Sequence, residues 1–120
     1  NLQGANLTDA NLEGADFTRA NLKGANLGAA NLSEAQLRVA ILIQASLRAA
    51  NLKGANLTSA LVTNANFQQA NLDAVNFTRA RIYDANVYGA SMTDMNISDA
   101  EIFNTGIGIG GEDAEIPSWD

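Results

Sequence analysis

The chain repeats a unit of five residues, Ala-Asn-Leu followed by two variable positions, from Asn1 to Ile107. If the third residue of each unit is its centre, the centres fall at Leu2 and at every fifth residue thereafter, and all 22 are Leu, Ile, Val, Phe or Met. The position two residues before each centre holds a small residue, and 18 of the 20 such positions from Ala5 to Ala100 are Ala. A fixed repeat with so strict an apolar position is the main structural signal in the chain.

Neither an α-helix nor a straight β-strand accommodates this period. Five residues displace the centre by roughly 140° around a helix, and an odd repeat sends successive centres to opposite faces of a strand. The chain must therefore turn once in each unit, with Ala and the centre pointing inward and the polar residue between them pointing outward. The variable positions, rich in Gly, Ser, Thr, Asp and Gln, suit a corner. The outward Asn side chains can bond backbone groups beside the turn, or one another in stacked ladders.

Residues 6–20, Asn-Leu-Thr-Asp-Ala-Asn-Leu-Glu-Gly-Ala-Asp-Phe-Thr-Arg-Ala, resemble the pentapeptide repeat family, whose pattern is A-(D/N)-L-X-X. The resemblance extends over about 107 of the 120 residues. It implies an all-β fold, a right-handed quadrilateral β-helix (solenoid) with four units, or 20 residues, in each of about five coils. The period of five alone predicts that the chain turns once in each unit and which positions point inward. It does not predict that a coil contains four units.

The repeats and the remaining residues divide the chain into two parts. Residues 1–107 form the predicted β-helix, and residues 108–120 are a Gly-rich and then acidic C-terminal tail. Because the terminal repeats of a solenoid need cover, we expect Ile116 and Trp119 to cap the last coil. The alternatives are a disordered tail or a tail that binds elsewhere. Asn1 begins in the middle of the pattern, so we also expect sequence upstream of it.

Composition argues against several classes of function. The formal net charge is −6, but residues 1–107 hold nine acids against seven bases, which does not suit direct nucleic-acid binding. There is no His and no Cys, so we expect no catalysis, no metal site and no cofactor. The paired carboxylates Asp73 with Asp94 and Asp84 with Glu101 fall on outer walls, where solvated surface charge is the ordinary interpretation. No apolar run is long enough to span a membrane, and the resemblance makes cytoplasm and thylakoid lumen equally reasonable compartments.

One outward column breaks the polar rule. With 20 residues per coil, the column that starts at Asn1 continues Asn21, Ile41, Leu61, Arg81, Glu101, and the column two residues on reads Gln3, Lys23, Ile43, Thr63, Tyr83, Phe103. Ile41, Ile43 and Leu61 should therefore lie side by side, with Tyr83 and Phe103 further along. We call these five residues the candidate contact patch, since contiguous exposed apolar residues mark contact surfaces. The alternatives are stabilisation of cross-strand pairs or cover by the tail.

These observations favour a non-enzymatic structural or protein-interaction module. Such a module is a rigid solenoid that presents flat faces to a protein partner or to a second copy of itself. We expect it to have no small-molecule substrate. The resemblance supplies the alternative, because some pentapeptide repeat proteins are acidic DNA mimics that bind type II topoisomerases such as DNA gyrase. A mimic needs a strongly negative surface, which the repeats lack. An enzyme or small-ligand binder is the third and least favoured class.

Overall fold

The computed structural model describes residues 1–105, and they form a right-handed β-helix with four sides. The repeat of the helix is read directly from its parallel pairing, in which Cα partners such as Asn6 and Asn26, or Asn11 and Asn31, are 20 residues apart. Each coil therefore contains four units of five residues. The predicted all-β quadrilateral solenoid of about five 20-residue coils is confirmed.

Each side of a coil ends in a tight turn at the two variable residues. The second variable residue has positive φ throughout, from 54° at Asn104 to 74° at Gly89. In most units the next N–H closes the turn onto the carbonyl of the centre, as Ala5 does onto Leu2 at 2.9 Å. A positive φ at the third of four turn residues is the requirement of a type II turn. Most of these positions are not Gly, so the turns are locally unfavourable by roughly 1–2 kcal/mol each, and the fold depends on pairing and packing between coils.

The outward Asn residues stabilise these corners. Their side-chain Oδ1 accepts the backbone N–H two residues later, as Asn21 does from Lys23 at 3.0 Å and Asn56 does from Thr58 at 3.0 Å. Where the later residue is Ser or Thr, its hydroxyl binds the same oxygen, at 2.6 Å in the case of Thr58. Side-chain bonds between stacked residues are fewer, an example being Asn56 Nδ2 to Gln36 Oε1 at 3.3 Å. Of the two roles considered for Asn, bonding to the backbone beside the turn therefore dominates.

Residues 1–105 contain three regular strands, all on one side of the solenoid. They are β1 (Leu61–Thr63), β2 (Arg81–Tyr83) and β3 (Glu101–Phe103), and they form a parallel sheet in the order β1-β2-β3. We call this side, which includes residues 1–4, 21–24, 41–44, 61–64, 81–84 and 101–104, the Asn1 face. The other sides pair through single bridges.

The core is a stack of the inward residues. Leu and Ala at these positions in the middle coils are at most 2% exposed, and Phe67 and Phe77 are each 1% exposed. Val75 replaces Ala without leaving the core, at 0% exposure. Inward residues of the first and last described coils are partly buried, since only one neighbouring coil covers them. No helix in residues 1–105 is long and apolar enough to cross a membrane.

The predicted boundary at residue 107 and the tail of residues 108–120 lie outside the described residues. The same is true of the cap proposed for Ile116 and Trp119. Both stay predictions.

Candidate functional site

The Asn1 face brings together three residues of the candidate contact patch. Ile41 and Leu61 are bridge partners in adjacent coils, and Ile43 lies two residues beyond Ile41 on the same side. All three are half-buried, because each covers part of its neighbours while its outer surface faces away from the core. We call Ile41, Ile43 and Leu61 the apolar cluster.

The other two residues of the patch lie further along the same face. Tyr83 and Phe103 are Cα partners in β2 and β3. Thr63 separates Tyr83 from Ile43 in that column, and Arg81 follows Leu61 in the neighbouring one. Tyr83 is half-buried, whereas Phe103 is 69% exposed. The five residues therefore form two apolar groups on one face, with polar residues between them, rather than one continuous surface.

The column of Ile41 and Leu61 holds Asn in its first two coils. In the preceding coil, Asn21 accepts the N–H of Lys23 with its side chain, which Ile41 and Leu61 cannot do for the residues that follow them. The backbone pairing nevertheless continues, since the Ile41 N–H donates to Ala20 at 3.0 Å and the Leu61 N–H donates to Ala40 at 3.0 Å. The fold thus tolerates either residue type here, and the choice changes what the surface presents.

A small charged network lies beside the apolar cluster. The Tyr83 hydroxyl donates to the Glu101 carboxylate, and Arg81 Nε lies 3.8 Å from Glu101 Oε1. The hydrogen bond to Glu101 raises the pKa of Tyr83, and burial and the Glu101 charge act in the same direction. The side chains of Arg81 and Glu101 are 63% and 62% exposed, so the ion pair itself contributes little stability. The stacking of Arg81 on Glu101 could have been inferred from the 20-residue coil, but the role of Tyr83 could not.

Of the paired carboxylates on the outer walls, Asp73 and Asp84 accept hydrogen bonds from neighbouring polar groups. Asp84 accepts a hydrogen bond from Asn104 Nδ2. Asp73 accepts one from the Ser91 hydroxyl at 2.5 Å and one from the Thr93 N–H at 2.9 Å, and these bonds lower the pKa of Asp73. Within residues 1–105, no group of three or more His, Cys, Asp or Glu side chains is placed to hold a metal ion.

In the part of the chain that the structure describes, two further large apolar side chains are exposed on other sides, and the repeat pattern does not single them out. Val39 is 43% exposed and has a φ of 60°, which is unusual for a β-branched residue. Tyr88 is 74% exposed. Their only sequence signal is an apolar residue at a variable position, which is weak because single exposed apolar residues are common.

Comparisons with known proteins agree with this geometry. A family model described as pentapeptide repeats matches eight copies, over residues 1–33, 30–69 and 55–94. No curated protein matches the chain.

Several solved structures share the fold. A pentapeptide repeat protein (Rfr23) from the cyanobacterium Cyanothece 51142 is 34% identical with a TM-score of 0.73, over 76% of this chain and 63% of that one. The chain thus spans less than two thirds of that protein. A second, alr5209 from Nostoc PCC 7120, is 31% identical with a TM-score of 0.66, over 79% of this chain and 82% of that one. AT2G44920 from the Arabidopsis thaliana thylakoid lumen shares the fold at 22% identity, with a TM-score of 0.57 over 95% of this chain and 73% of that one.

Proposed function

Because the chain belongs to the pentapeptide repeat family, whose fold is a structural scaffold, we propose that it is a non-enzymatic protein-interaction module that binds a protein through the Asn1 face. One observation carries the proposal. The outward column of this face changes from Asn at position 21 to Ile at position 41 and Leu at position 61, while the same parallel pairing continues from coil to coil. Contiguous apolar residues at outward positions are typical of a contact surface.

The solenoid suits such a role because its surface is held rigidly. Every coil is joined to the next by backbone hydrogen bonds, such as those from Leu42 to Leu61 at 2.8 Å and from Leu22 to Ile41 at 2.8 Å. A partner that covers the apolar cluster therefore meets side chains that are already ordered, which lowers the entropic cost of binding. The cluster residues are already half-buried, so covering each of them contributes about 1 kcal/mol, less than the 1.5–3 kcal/mol for a fully exposed side chain.

The charge of the solenoid supports apolar contact rather than electrostatic mimicry of DNA. Residues 1–105 hold nine acids and seven bases, a net charge of −2. The negative potential that steers a DNA mimic to a DNA-binding enzyme needs a far larger excess of acids. Inhibition of DNA gyrase is therefore the competing function.

Binding to a purified partner tests the proposal with two matched variants. The patch variant is Ile41→Asn/Leu61→Asn, which restores the residue found at positions 1 and 21 of that column. The control is Gln36→Asn/Ser46→Asn, which also introduces two Asn residues at outward positions, but on other sides and in place of polar residues. A partner captured by the wild-type chain is purified, and its affinity for all three proteins is measured by calorimetry.

We expect the wild type and the control to bind equally and the patch variant to bind on the order of tenfold more weakly, as the loss of two contact side chains predicts. A partner that binds all three equally contradicts the proposal. Equal inhibition of DNA supercoiling by gyrase with all three proteins would replace it with the mimic.

A further inference from the structure

We propose that the partner of the Asn1 face is an acidic segment of another protein, with carboxylates that bind arginines at one corner of the face and apolar residues that cover the apolar cluster. The inference rests on the proposed function, since it states the chemistry of the partner at the same surface. It is carried by the distribution of charge over the solenoid, by three exposed arginines, and by an exposed and strained valine.

The chain enters each row of the Asn1 face through a corner formed by the two variable residues before that row. Arg19, Val39 and Arg79 lie in the turns of this corner, each with a φ between 58° and 65°. Arg38 comes directly before Val39. Three arginines therefore lie alongside the rows that contain and flank the apolar cluster. We call this corner the basic corner, and it consists of residues 18–19, 38–39, 58–59, 78–79 and 98–99.

Positive charge is concentrated around the apolar cluster. The Asn1 face and the basic corner together hold five bases and three acids, a net charge of +2. The other positions of residues 1–105 hold two bases and six acids, a net charge of −4. The apolar cluster thus lies in the positive part of a negatively charged solenoid. The four rows that begin at residues 21, 41, 61 and 81, with their corner residues, have a net charge of +4, from Arg19, Lys23, Arg38, Arg79, Arg81 and the acid Asp84.

The arginines of the basic corner can bind carboxylates from outside the chain. Arg19, Arg38 and Arg79 are all exposed. Within residues 1–105 the one ion pair joins Arg81 to Glu101, so none of these three has a carboxylate partner there. The Arg19 N–H donates to the Arg38 carbonyl at 2.8 Å, so two like charges extend from neighbouring coils. Like charges side by side are unfavourable, and a carboxylate that binds both guanidinium groups offsets this repulsion.

An exposed apolar residue connects the basic corner to the apolar cluster. Val39 is 43% exposed and has a φ of 60°, and only the inward Ala40 separates it from Ile41 in the chain. A β-branched residue at positive φ is a strained outlier, and such outliers cluster at functional sites. The exposed apolar surface therefore continues from the Asn1 face onto the corner that carries the arginines.

This arrangement fits an acidic protein segment better than a nucleic acid. Affinity for a nucleic acid comes mainly from basic side chains on successive phosphates, whereas the centre of this surface is apolar. The acids elsewhere on the solenoid, with a net charge of −4, repel a long polyanion. A protein segment with carboxylates beside an apolar residue contacts the arginines and the apolar cluster together. Electrostatic complementarity then fixes the orientation of that segment on the face.

Selection from a displayed library of random peptides tests the inference with the full chain as the target. The corner variant is Arg38→Glu/Arg79→Glu. The control is Arg48→Glu/Lys53→Glu, which changes the net charge equally at the two bases outside the face and the corner. We expect the wild type and the control to select peptides rich in Asp and Glu next to apolar residues. The corner variant should lose this enrichment, because its corner repels carboxylates.

The peptide that the wild type enriches most is then synthesised, and its Kd for each protein is measured by fluorescence anisotropy. We expect the corner variant and Ile41→Asn/Leu61→Asn each to bind it about tenfold more weakly than the wild type. Binding to the wild type should weaken as salt is added. A peptide with Lys in place of its acids should bind the corner variant and not the wild type, a reversal that loss of folding cannot produce.

Four results would overturn the inference. A wild type that selects no peptide, or peptides without an excess of acids, excludes an acidic segment. Acidic peptides that the corner variant binds as tightly as the control use another surface. A single-stranded DNA oligonucleotide that binds the wild type more tightly than the peptide, and no longer binds the corner variant, makes a nucleic acid the occupant. The acidic tail of the same chain is the occupant if its neutralisation raises the affinity for the peptide about tenfold.

The tail is neutralised by Glu112→Gln/Asp113→Asn/Glu115→Gln. Its matched control is Asp9→Asn/Glu13→Gln/Asp94→Asn, which removes three acids outside the face and the corner. An increase in affinity that only the tail variant shows identifies the tail, since both variants change the net charge equally.

Failure of this inference is distinguishable from failure of the proposed function. If binding to a protein responds to Ile41→Asn/Leu61→Asn but not to the corner variant, the contact surface stands and only the acidic partner is wrong. If neither pair of substitutions changes the binding of any peptide or protein, both proposals are wrong.

Discussion

Ile41 and Leu61 are bridge partners in successive coils, in the same outward column that holds Asn1 and Asn21 in the first two coils. The column therefore switches from polar to apolar without any change in the pairing of the backbone. The Asn side chain bonds to the turn that follows it, and the Ile or Leu side chain does not. What distinguishes the third and fourth coils is the surface that they present.

The inward Leu residues should dominate stability. Leu52 is 0% exposed in the middle of the core, and we expect Leu52→Ala to lower the free energy of unfolding by about 2–5 kcal/mol, because the narrow core cannot collapse around the cavity. The neighbouring Lys53 is exposed, and Lys53→Ala should change the free energy of unfolding by less than about 0.5 kcal/mol. Denaturant titration measures both values. Similar losses for the two variants would contradict the described core.

The Asn side chains should stabilise the corners by their hydrogen bonds. Asn76 Oδ1 accepts the Thr78 N–H at 2.9 Å and the Thr78 hydroxyl at 2.5 Å. Asn76→Ala removes both bonds, and we expect a loss of about 1–3 kcal/mol in the free energy of unfolding, at about 0.5–1.5 kcal/mol for each bond. Thr78→Ala removes only the hydroxyl bond and should cost about half as much. If the two variants lose the same amount in denaturant titration, the backbone bond contributes nothing.

The turns should respond to relief of backbone strain. Val39 has a φ of 60°, and a β-branched residue is strained in this region. Asn64 and Asn104 occupy the equivalent turn position with φ of 57° and 54°, so Val39→Asn should raise the free energy of unfolding by about 0.5–1 kcal/mol. Val39→Ala serves as the control for loss of the side chain alone. A loss of stability in Val39→Asn would show that the exposed Val side chain contributes contacts that outweigh its strain.

The bond from Tyr83 to Glu101 should make stability depend on pH in the alkaline range. The Tyr83 pKa is raised above its ordinary value of 10.0 in the folded chain, so the folded state retains the phenolic proton more strongly than the unfolded state. The resulting stabilisation is fully present below pH 10.0 and is lost as the pH rises through the folded-state pKa. Phenolate absorbance in a Tyr88→Phe background, where Tyr83 is the only tyrosine, follows this titration.

Glu101→Gln provides the comparison for that measurement. Because the Gln side chain is neutral, the pKa of Tyr83 should return towards 10.0. Identical phenolate titrations with Glu101 and with Gln at that position would show that the bond does not form in solution.

The fold could be predicted from the sequence because the apolar period is strict, and other features could not be for identifiable reasons. The inward positions of residues such as Leu22 and Leu42 follow from the period of five, and the proximity of Ile41 to Leu61 follows once a coil has 20 residues. That number came from the family resemblance, since the period is silent about how many corners close a coil. Positive φ at Arg19 and Val39 has no sequence signal, because neither residue type favours it.

The candidate site was predictable only in part. The 20-residue period places Tyr83 beside Phe103, and the same period places the polar Thr63 between Tyr83 and Ile43. The hydrogen bond from Tyr83 to Glu101 depends on side-chain rotamers, which a repeat pattern does not specify. Whether Ile116 and Trp119 cap the solenoid stays a prediction, since they lie outside residues 1–105.

The most direct test of the account is the free energy of unfolding of Ile41→Asn/Leu61→Asn compared with the wild type, at a concentration where both are monomeric. Each substitution removes a half-buried apolar side chain worth about 1 kcal/mol and permits a side-chain bond to the turn worth about 0.5–1.5 kcal/mol. We therefore predict that the two proteins differ by less than about 1 kcal/mol, as expected if the apolar residues exist for contact. A loss greater than about 3 kcal/mol would contradict the account, because Ile41 and Leu61 would then serve to hold the coils together.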